Sequence, residues 1–453
     1  MANITKSFDN DVFEAIIKAY NINGKINDIE KISGGNIHGT WKIEIEYPNG
    51  TKITKMIQQI NTYVFPDYQS LMRNICLVTE HMAKDTNNGS QILKVLKTQN
   101  NKNYFEFEGK DKQKNVFRVY EFIDNCISFN SMSEINENIR LDIARIHGSS
   151  YGNFLSLLSD FPIEKLKETI PNFHNTEFRW RSFLKDLNMK KEKIELSNID
   201  KIIKLFIEAV TKNDVNRAKN LTETINLLEE TENPELNRIR ISLKEITFLL
   251  EQSHNFSKLN KLHEEGFIPL RVQHNDPKLN NILFDKKIIQ EPSKINIDTV
   301  MPVVDLDTVM LGLLSDPADA LRSLTNVAGE ETTNLEEVKV DIPILEAFID
   351  GYASKTHDDL NDYEIENIGN AFLIITLELG MRFLNDYING DIYFKLKEED
   401  PKDFNLRRAR VQLKLANNII KNKNKIDTII TDSYKKHKGL STTKKIMEKS
   451  ITK

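Results

Sequence analysis

The chain has 453 residues, of which 39% are hydrophobic, 28% charged and 8% aromatic, with a net charge of −5. This balance suits one large domain or two to three lobes with a real core, excludes collagen-like and wholly disordered chains, and gives no reason to invoke nucleic acid or a membrane surface. Two cysteines, Cys76 and Cys126, make neither a disulfide framework nor a zinc site, and the first residues lack the apolar core of a secretory signal, so a reducing, cytoplasmic setting is expected. The most apolar stretch, Ala371 to Leu384, is interrupted by Glu378 and Arg382, so no membrane-spanning helix is expected.

Residues 1–124 read as one lobe, a helix followed mostly by strands. Asp11 to Tyr20 carries Val12, Phe13, Ile16, Ile17 and Tyr20 on one side, which predicts an amphipathic helix. Strands are predicted over Asp28 to Ser33, Thr40 to Tyr47 and Lys52 to Ile60, the last two joined by the turn Pro48-Asn49-Gly50. Pro66 and Asp67 open a helix through Met82. Two more strands, Tyr104 to Glu108 and Val116 to Ile123, flank Gly109-Lys110-Asp111. Residues 125–420 read as a larger, mostly helical lobe. Ser131-Met132-Ser133-Glu134 has the form of a capping box for a helix to about His147. Phe178 to Glu265 is charged and helical, and helices dominate again from Asp316 to about Ile420. Residues 421–453 hold ten lysines and three acidic residues, a local charge of +7 that leaves −12 on the remainder. They read as a solvated basic tail, with an anionic partner as the alternative.

The chemistry lies in His274-Asn275-Asp276-Pro277-Lys278-Leu279-Asn280-Asn281, a His-x-Asp-x4-Asn pattern running into Ile282-Leu283-Phe284-Asp285. A second apolar strand ends in carboxylates at Val303-Val304-Asp305-Leu306-Asp307. Phosphoryl transfer to a hydroxyl needs a carboxylate that takes the proton late, a role that suits Asp276. Mg²⁺ needs hard oxygen ligands, which Asn281 and Asp305 supply. Lys278 puts positive charge beside the transferring phosphoryl group, and His274 buttresses the loop. Upstream, Ser33-Gly34-Gly35-Asn36-Ile37-His38-Gly39-Thr40 sits between two strands, where glycines allow backbone N–H groups close to phosphates. It is no Walker loop, since no Gly-Lys-Ser/Thr and no helix follow. With the downstream motif it reads as a nucleotide flap of Gly34, Gly35, Asn36, Ile37 and Thr40. The strand through Glu121 and Ile123 then becomes the hinge for adenine.

These segments resemble the aminoglycoside phosphotransferase-like family of small-molecule kinases, and within it the N-acetylhexosamine 1-kinase branch. The resemblance spans roughly residues 10 to 420. It rests on Gly35-Asn36-Ile37-His38, Gln58-Gln59-Ile60-Asn61, Val119-Tyr120-Glu121-Phe122-Ile123, Pro171-Asn172-Phe173-His174-Asn175-Thr176, the His274 to Asp285 segment, Asp305-Leu306-Asp307-Thr308-Val309-Met310 and Arg382-Phe383-Leu384-Asn385-Asp386-Tyr387. It implies an α+β, bilobal protein-kinase-like fold with a small antiparallel-sheet N-lobe and a helical C-lobe. It further implies ATP- and Mg²⁺-dependent phosphorylation of the anomeric hydroxyl of an N-acetylhexosamine, with His38, His174, Asp307 and Arg382 toward the acceptor. His174 is read either as a sugar contact or as a loop support, and Arg382 either as an acceptor residue or as an ion-pair partner of Glu378 one turn earlier.

Three features depart from the pattern. The strand that carries a phosphate-binding lysine in protein kinases reads Met56-Ile57-Gln58-Gln59, Gly39 stands where many relatives carry Asp, and the helical stretch between His174 and His274 is long. Two alternatives follow: a kinase for an aminoglycoside or amino alcohol, for which Asp386 and Asp391 are the available acids, and a nucleotide-binding pseudokinase.

Overall fold

The computed structural model describes residues 10–32, 37–84, 91–109, 112–192, 198–226, 231, 233–291, 296 and 299–451. The first lobe begins with α1 (Asn10–Ala19), followed by β1 (Lys25–Lys31), β2 (Gly39–Glu46), β3 (Lys52–Ile60), α2 (Tyr68–Met82), β4 (Phe105–Glu108) and β5 (Lys114–Glu121). The five strands form one antiparallel sheet in the order β1-β2-β3-β5-β4. The hairpin at Asn49-Gly50 closes as predicted: Gly50 takes φ 79°, and the Asn49 side chain accepts from Thr51 N–H at 3.0 Å.

Strand alternation assigns each sheet face. Trp41, Ile43, Ile45, Ile57, Phe117 and Val119 turn outward and are covered by Val12, Phe13, Ile16 and Ile17 of α1, with the Phe13 and Trp41 rings edge-on at 5.5 Å. The register pairs Thr40 with Gln58 and Gln58 with Arg118, so these three polar side chains share the opposite face, which looks toward α2 and the second lobe. Asp67 caps α2 by accepting from Ser70 N–H at 3.0 Å.

The second lobe starts with β6 (Cys126–Ile127) and α3 (Arg140–Leu157), then runs through α4 (Thr176–Glu192), α5 (Asn198–Thr211), α6 (Val215–Asn226), α7 (Pro234–Ile241), α8 (Leu243–Gln252) and α9 (Lys258–Glu264). Next come β7 (Arg271–Gln273), β8 (Phe284–Asp285), α10 (Lys287–Gln290), β9 (Met310–Gly312), α11 (Ser315–Thr325), α12 (Ile342–Thr356), α13 (Asp362–Ile388), α14 (Phe404–Lys421) and α15 (Lys423–Ile451). α3 and α12 pack closely because Gly148 and Gly351 face each other's helix; a Cβ at either would collide with a carbonyl oxygen, of Phe348 or of Arg145. A core spanning both lobes joins Met72, Ile75 and Tyr120 to Phe154, Val272, Leu306 and Val309. The architecture is the expected α+β, bilobal one, a small antiparallel-sheet lobe followed by a larger, mostly helical lobe. Among the described residues, no helix is long and apolar enough to cross a membrane.

Two local expectations are corrected. Ser131 to Glu134 forms one 3-10 turn without a side-chain cap, because the Glu134 carboxylate accepts from Asn130 instead; the helix starts only at Arg140. The C-terminal segment docks rather than floating as a solvated tail. Ile426, Ile430 and Tyr434 of α15 are buried, Tyr434 and Thr356 hydroxyls meet at 2.8 Å, and His437 and Lys436 reach Asp350. The basic residues had masked an apolar stripe of helical spacing.

Candidate active site

The His274 to Asn281 loop is a scaffold of backbone hydrogen bonds with one carboxylate left toward the cleft. Asp316, buried in the first turn of α11, accepts from the backbone N–H groups of His274 at 2.8 Å and Asn275 at 2.7 Å. Asn275 takes φ 64°, a left-handed conformation that Asn tolerates, and its amide ties the loop to the Thr308 carbonyl at 3.0 Å. His274 donates from Nε2 to the Val304 carbonyl at 2.9 Å and accepts at Nδ1 from Asp276 N–H at 3.3 Å, so it is a buttress of the loop.

This places Asp276 at the cleft. Its Oδ2 accepts from Lys278 Nζ at 2.7 Å, and its Oδ1 has no hydrogen-bond partner among the described residues. Asn281 donates from Nδ2 to the Asp276 carbonyl at 2.8 Å, which leaves the amide oxygen Oδ1 for a cation. Ile282 pairs with Val303, and Val304 N–H donates to the Asn281 carbonyl at 2.9 Å, so Asn281 and Asp305 stand on adjoining strand segments. Asp305 has φ 61° and opens to the cleft. The protein around it, then the carboxylates of Asp307 and Asp276, push its pKa up to about 7. Acids gathered in this way suit a counter-cation. Among the described residues no three His, Cys, Asp or Glu form a complete metal cage. An amide oxygen and a carboxylate nevertheless fit Mg²⁺, which completes its shell with phosphate and water.

Sequence reasoning missed Arg118. Its side chain is 1% exposed. Both terminal nitrogens donate to the two oxygens of Asp307, Nη2 to Oδ2 at 2.7 Å, and Nε donates to Gln58 Oε1 at 3.0 Å. Gln58 in turn donates to Thr40 Oγ1 at 3.1 Å. His38 completes the group: Nδ1 accepts from Asn61 N–H at 3.1 Å, and Nε2 donates to Asp307 Oδ2 at 2.7 Å. Burial disfavours the Asp307 charge, but Arg118, then His38, hold its carboxyl far below the ordinary range. His38 and Asp307, read from sequence as acceptor residues, are thus engaged by the protein on both ring nitrogens and both oxygens. They form a buried strut from the sheet lobe to the strand end that carries Asp305. The Thr40 side chain is likewise engaged. The only sequence hint of this strut was a charged residue in an otherwise apolar inner strand, Val116-Phe117-Arg118-Val119-Tyr120.

The remaining expected residues fall as follows. Gly34, Gly35 and Asn36 lie outside the described residues; Ile37 is exposed next to them. Glu121 pairs with Lys55 across β3 and β5 and donates its backbone N–H to the Lys94 carbonyl. The Ile123 backbone N–H has no hydrogen-bond partner among the described residues, as a hinge donor to a base would require. His174 touches two acceptors, the Asn275 carbonyl at 2.9 Å and Glu378 Oε1 at 3.2 Å, so both ring nitrogens carry hydrogen. Burial opposes that charge, but Glu378 outweighs it and raises the His174 pKa. His174 is therefore a support of the loop that carries Asp276. Glu378, held also by Thr176 Oγ1 at 2.6 Å, is not an ion-pair partner of Arg382. The Arg382 guanidinium instead lies among Phe173, Tyr393 and Phe394, with ring centroids at 6.0, 5.8 and 5.7 Å.

No family model matches the chain. Among solved structures the fold is similar to an amicoumacin kinase in complex with AMP-PNP and Ca²⁺, with 10% identity, TM-score 0.46 and coverage of 90% of this chain and 93% of that one. It is similar also to a Plasmodium vivax ethanolamine kinase, with 11% identity, TM-score 0.46 and coverage of 91% and 90%. A microcompartment-associated aminopropanol kinase is similar at 11% identity and TM-score 0.47, with coverage of 92% and 99%.

Proposed function

We propose that this chain is a phosphotransferase that moves the terminal phosphoryl group of ATP to a hydroxyl of a small molecule, with Asp276 as the base. The observation that carries the reading is the juxtaposition of Asp276, its Oδ1 open, with Asn281 and Asp305 on paired segments behind it. Asp276 orients the acceptor hydroxyl and receives its proton; Lys278 sits against the same carboxylate and keeps positive charge at the reacting edge. Asn281 Oδ1 and Asp305 would hold Mg²⁺, which supplies neutralisation of phosphate charge. Gly34, Gly35, Asn36 and Ile37 would cover the phosphates, and the Ile123 N–H would meet the base.

The acceptor we propose is an N-acetylhexosamine-type sugar, phosphorylated at its anomeric oxygen, as the sequence resemblance implies. One observation favours a sugar over an amino alcohol. The two acids available for a cationic acceptor are engaged by the protein: Asp386 accepts from Tyr393 and Phe394 N–H groups at 2.8 Å each, and Asp391 pairs with Arg238 at 2.6 Å. The test is incubation with ATP, Mg²⁺ and a panel of N-acetylhexosamines, neutral hexoses, amino alcohols and aminoglycosides, followed by phosphorus NMR. A sugar 1-phosphate is the expected product. Phosphate on C6, or activity confined to the cationic acceptors, contradicts the acceptor assignment, and no transfer to any hydroxyl contradicts the reading as a whole.

A further inference from the structure

Arg382 is unusual among the arginines of the helical lobe. Arg238, Arg271, Arg322, Arg408 and Arg410, each partly or fully buried, all hold a carboxylate: Asp391, Glu364, Asp319, Glu330 and Glu245 respectively. The partly buried Arg382 makes no hydrogen bond and no ion pair among the described residues, although three aromatic rings surround it. Five N–H donors aimed in a fixed plane are thus left without an acceptor.

A second guanidinium reaches the same residue, Phe173, that Arg382 faces. Arg179, in the first turn of α4, gives one long bond from Nη2 to the Phe173 carbonyl at 3.3 Å, and its Nε is buried without a partner. Burial, and then the charge of Arg382, lower its pKa, with Glu378 acting in the opposite sense. Glu378 is felt electrostatically by both arginines, but its two oxygens are taken by His174 and Thr176. Asp386 and Asp391 are also occupied. The one carboxylate whose charge reaches both arginines, Glu378, already balances protonated His174, so two guanidinium charges share no anion of their own and leave a place for an external one.

Through Phe173 the pair adjoins the support of the Asp276 loop. Phe173, which Arg382 faces, packs edge-on against His174 with ring centroids 4.5 Å apart, and His174 donates to the carbonyl of Asn275, the residue before Asp276. Tyr393, 60% exposed, forms an aromatic rim on the other side of Arg382. An aromatic face next to charge-bearing forks suits a sugar ring that stacks on one and presents an acid to the other.

Resting on the phosphotransferase reading above, we infer that Arg179 and Arg382 form an anion subsite, and that the acceptor is a sugar carrying an acidic substituent, a carboxylate or a phosphate, away from the hydroxyl that is phosphorylated. Both acids match the guanidinium fork, so the two sources are separated by probe.

The experiment is isothermal titration of the full chain, and of Arg382→Gln and Arg179→Gln, with three probes: N-acetylglucosamine, N-acetylglucosamine 6-phosphate and an N-acetylhexosaminuronic acid. Charge-assisted hydrogen bonds predict that at least one acidic probe binds roughly tenfold or more tightly than the neutral sugar. Each variant should bring the ratio of acidic-sugar to neutral-sugar affinity close to one, whatever change it makes in the neutral sugar alone. The probe with the margin identifies the acid. Equal binding of all three, a margin that survives both substitutions, or no binding of any probe overturns the inference. Circular dichroism of each variant confirms that a lost margin is not a lost fold, and a variant that fails to fold is replaced by Arg382→Lys, which should keep part of the margin. Phosphoryl transfer is read separately. An acidic sugar that binds through the arginines without being phosphorylated upholds the subsite and contradicts the kinase reading. Phosphorylation indifferent to the acid does the reverse.

Discussion

Replacing Asp307 by Asn tests the strut that joins the two lobes. The substitution keeps shape but removes the charge on which Arg118 and His38 converge, leaving a guanidinium that is 1% exposed without a counter-ion. Removing one partner of a buried pair costs about 3–5 kcal/mol, because the remaining charge has lost its compensation. The chain has two tryptophans, Trp41 in the sheet lobe and Trp180 in the helical lobe, both buried. Urea unfolding of the two single-tryptophan forms therefore reports each lobe separately. The Trp41 transition should lose the larger share, since Arg118 and His38 belong to the sheet lobe. The pair Arg118→Met with Asp307→Leu should be more stable than Asp307→Asn alone, because no charge is stranded; the deficits left are the His38 N–H and the Gln58 Oε1 that Arg118 had satisfied, both on half-buried side chains. A loss below about 1 kcal/mol in Asp307→Asn, or a double variant less stable than either single one, would refute the reasoning.

Three further outcomes follow from the geometry. Asp305→Ala, at a side chain open to the cleft, should leave the unfolding midpoint nearly unchanged but abolish Mg²⁺-dependent nucleotide binding in a calorimetric titration; the reverse pattern would move the metal role to Asp307. Glu378 raises the pKa of His174 above its ordinary 6.5 in the folded chain. The folded state therefore binds more protons just above pH 6.5, and this contribution to stability, fully present below 6.5, is lost as pH rises through the folded value. Glu378→Gln should flatten that decline in a comparison of melting temperatures from about pH 5 to 9, and parallel profiles would contradict it. Deleting residues 423–453 uncovers the sites of Ile426, Ile430 and Tyr434, at about 1.5–3 kcal/mol for each side chain, whereas deleting 439–453 spares them. Equal melting temperatures for the two truncations would show that the docked helix adds nothing.

What the sequence made legible was local. The hairpin at Pro48-Asn49-Gly50, the Asp67 cap and the His274 to Asn281 loop each depend on residues within a few positions of one another, so their chemistry is written in one window. Residues whose roles are set by distant partners were read incompletely. His38 and Asp307 have the chemistry of ligand contacts, but their partners lie 269 residues apart in the chain and, for Arg118, 189, so nothing local reveals that they bind each other. His174 was open between two roles until Glu378 appeared opposite it. Asp316 escaped notice because an acid at a helix start has an ordinary local explanation, the helix dipole, that hides its use as the anchor of the His274 to Asn281 loop. The C-terminal helix was misjudged because its charge outweighed three apolar residues spaced four apart.

The central claim is that Asp276 is the base of a phosphoryl transfer to a hydroxyl. It is tested most directly by measuring single-turnover transfer from ATP to the best acceptor of the panel in the wild type and in Asp276→Asn. The rate in the variant should be lower by roughly 10²–10⁴, with nucleotide binding retained, because Asn preserves the shape of the loop but accepts no proton. A variant that transfers phosphate at close to the wild-type rate would contradict it.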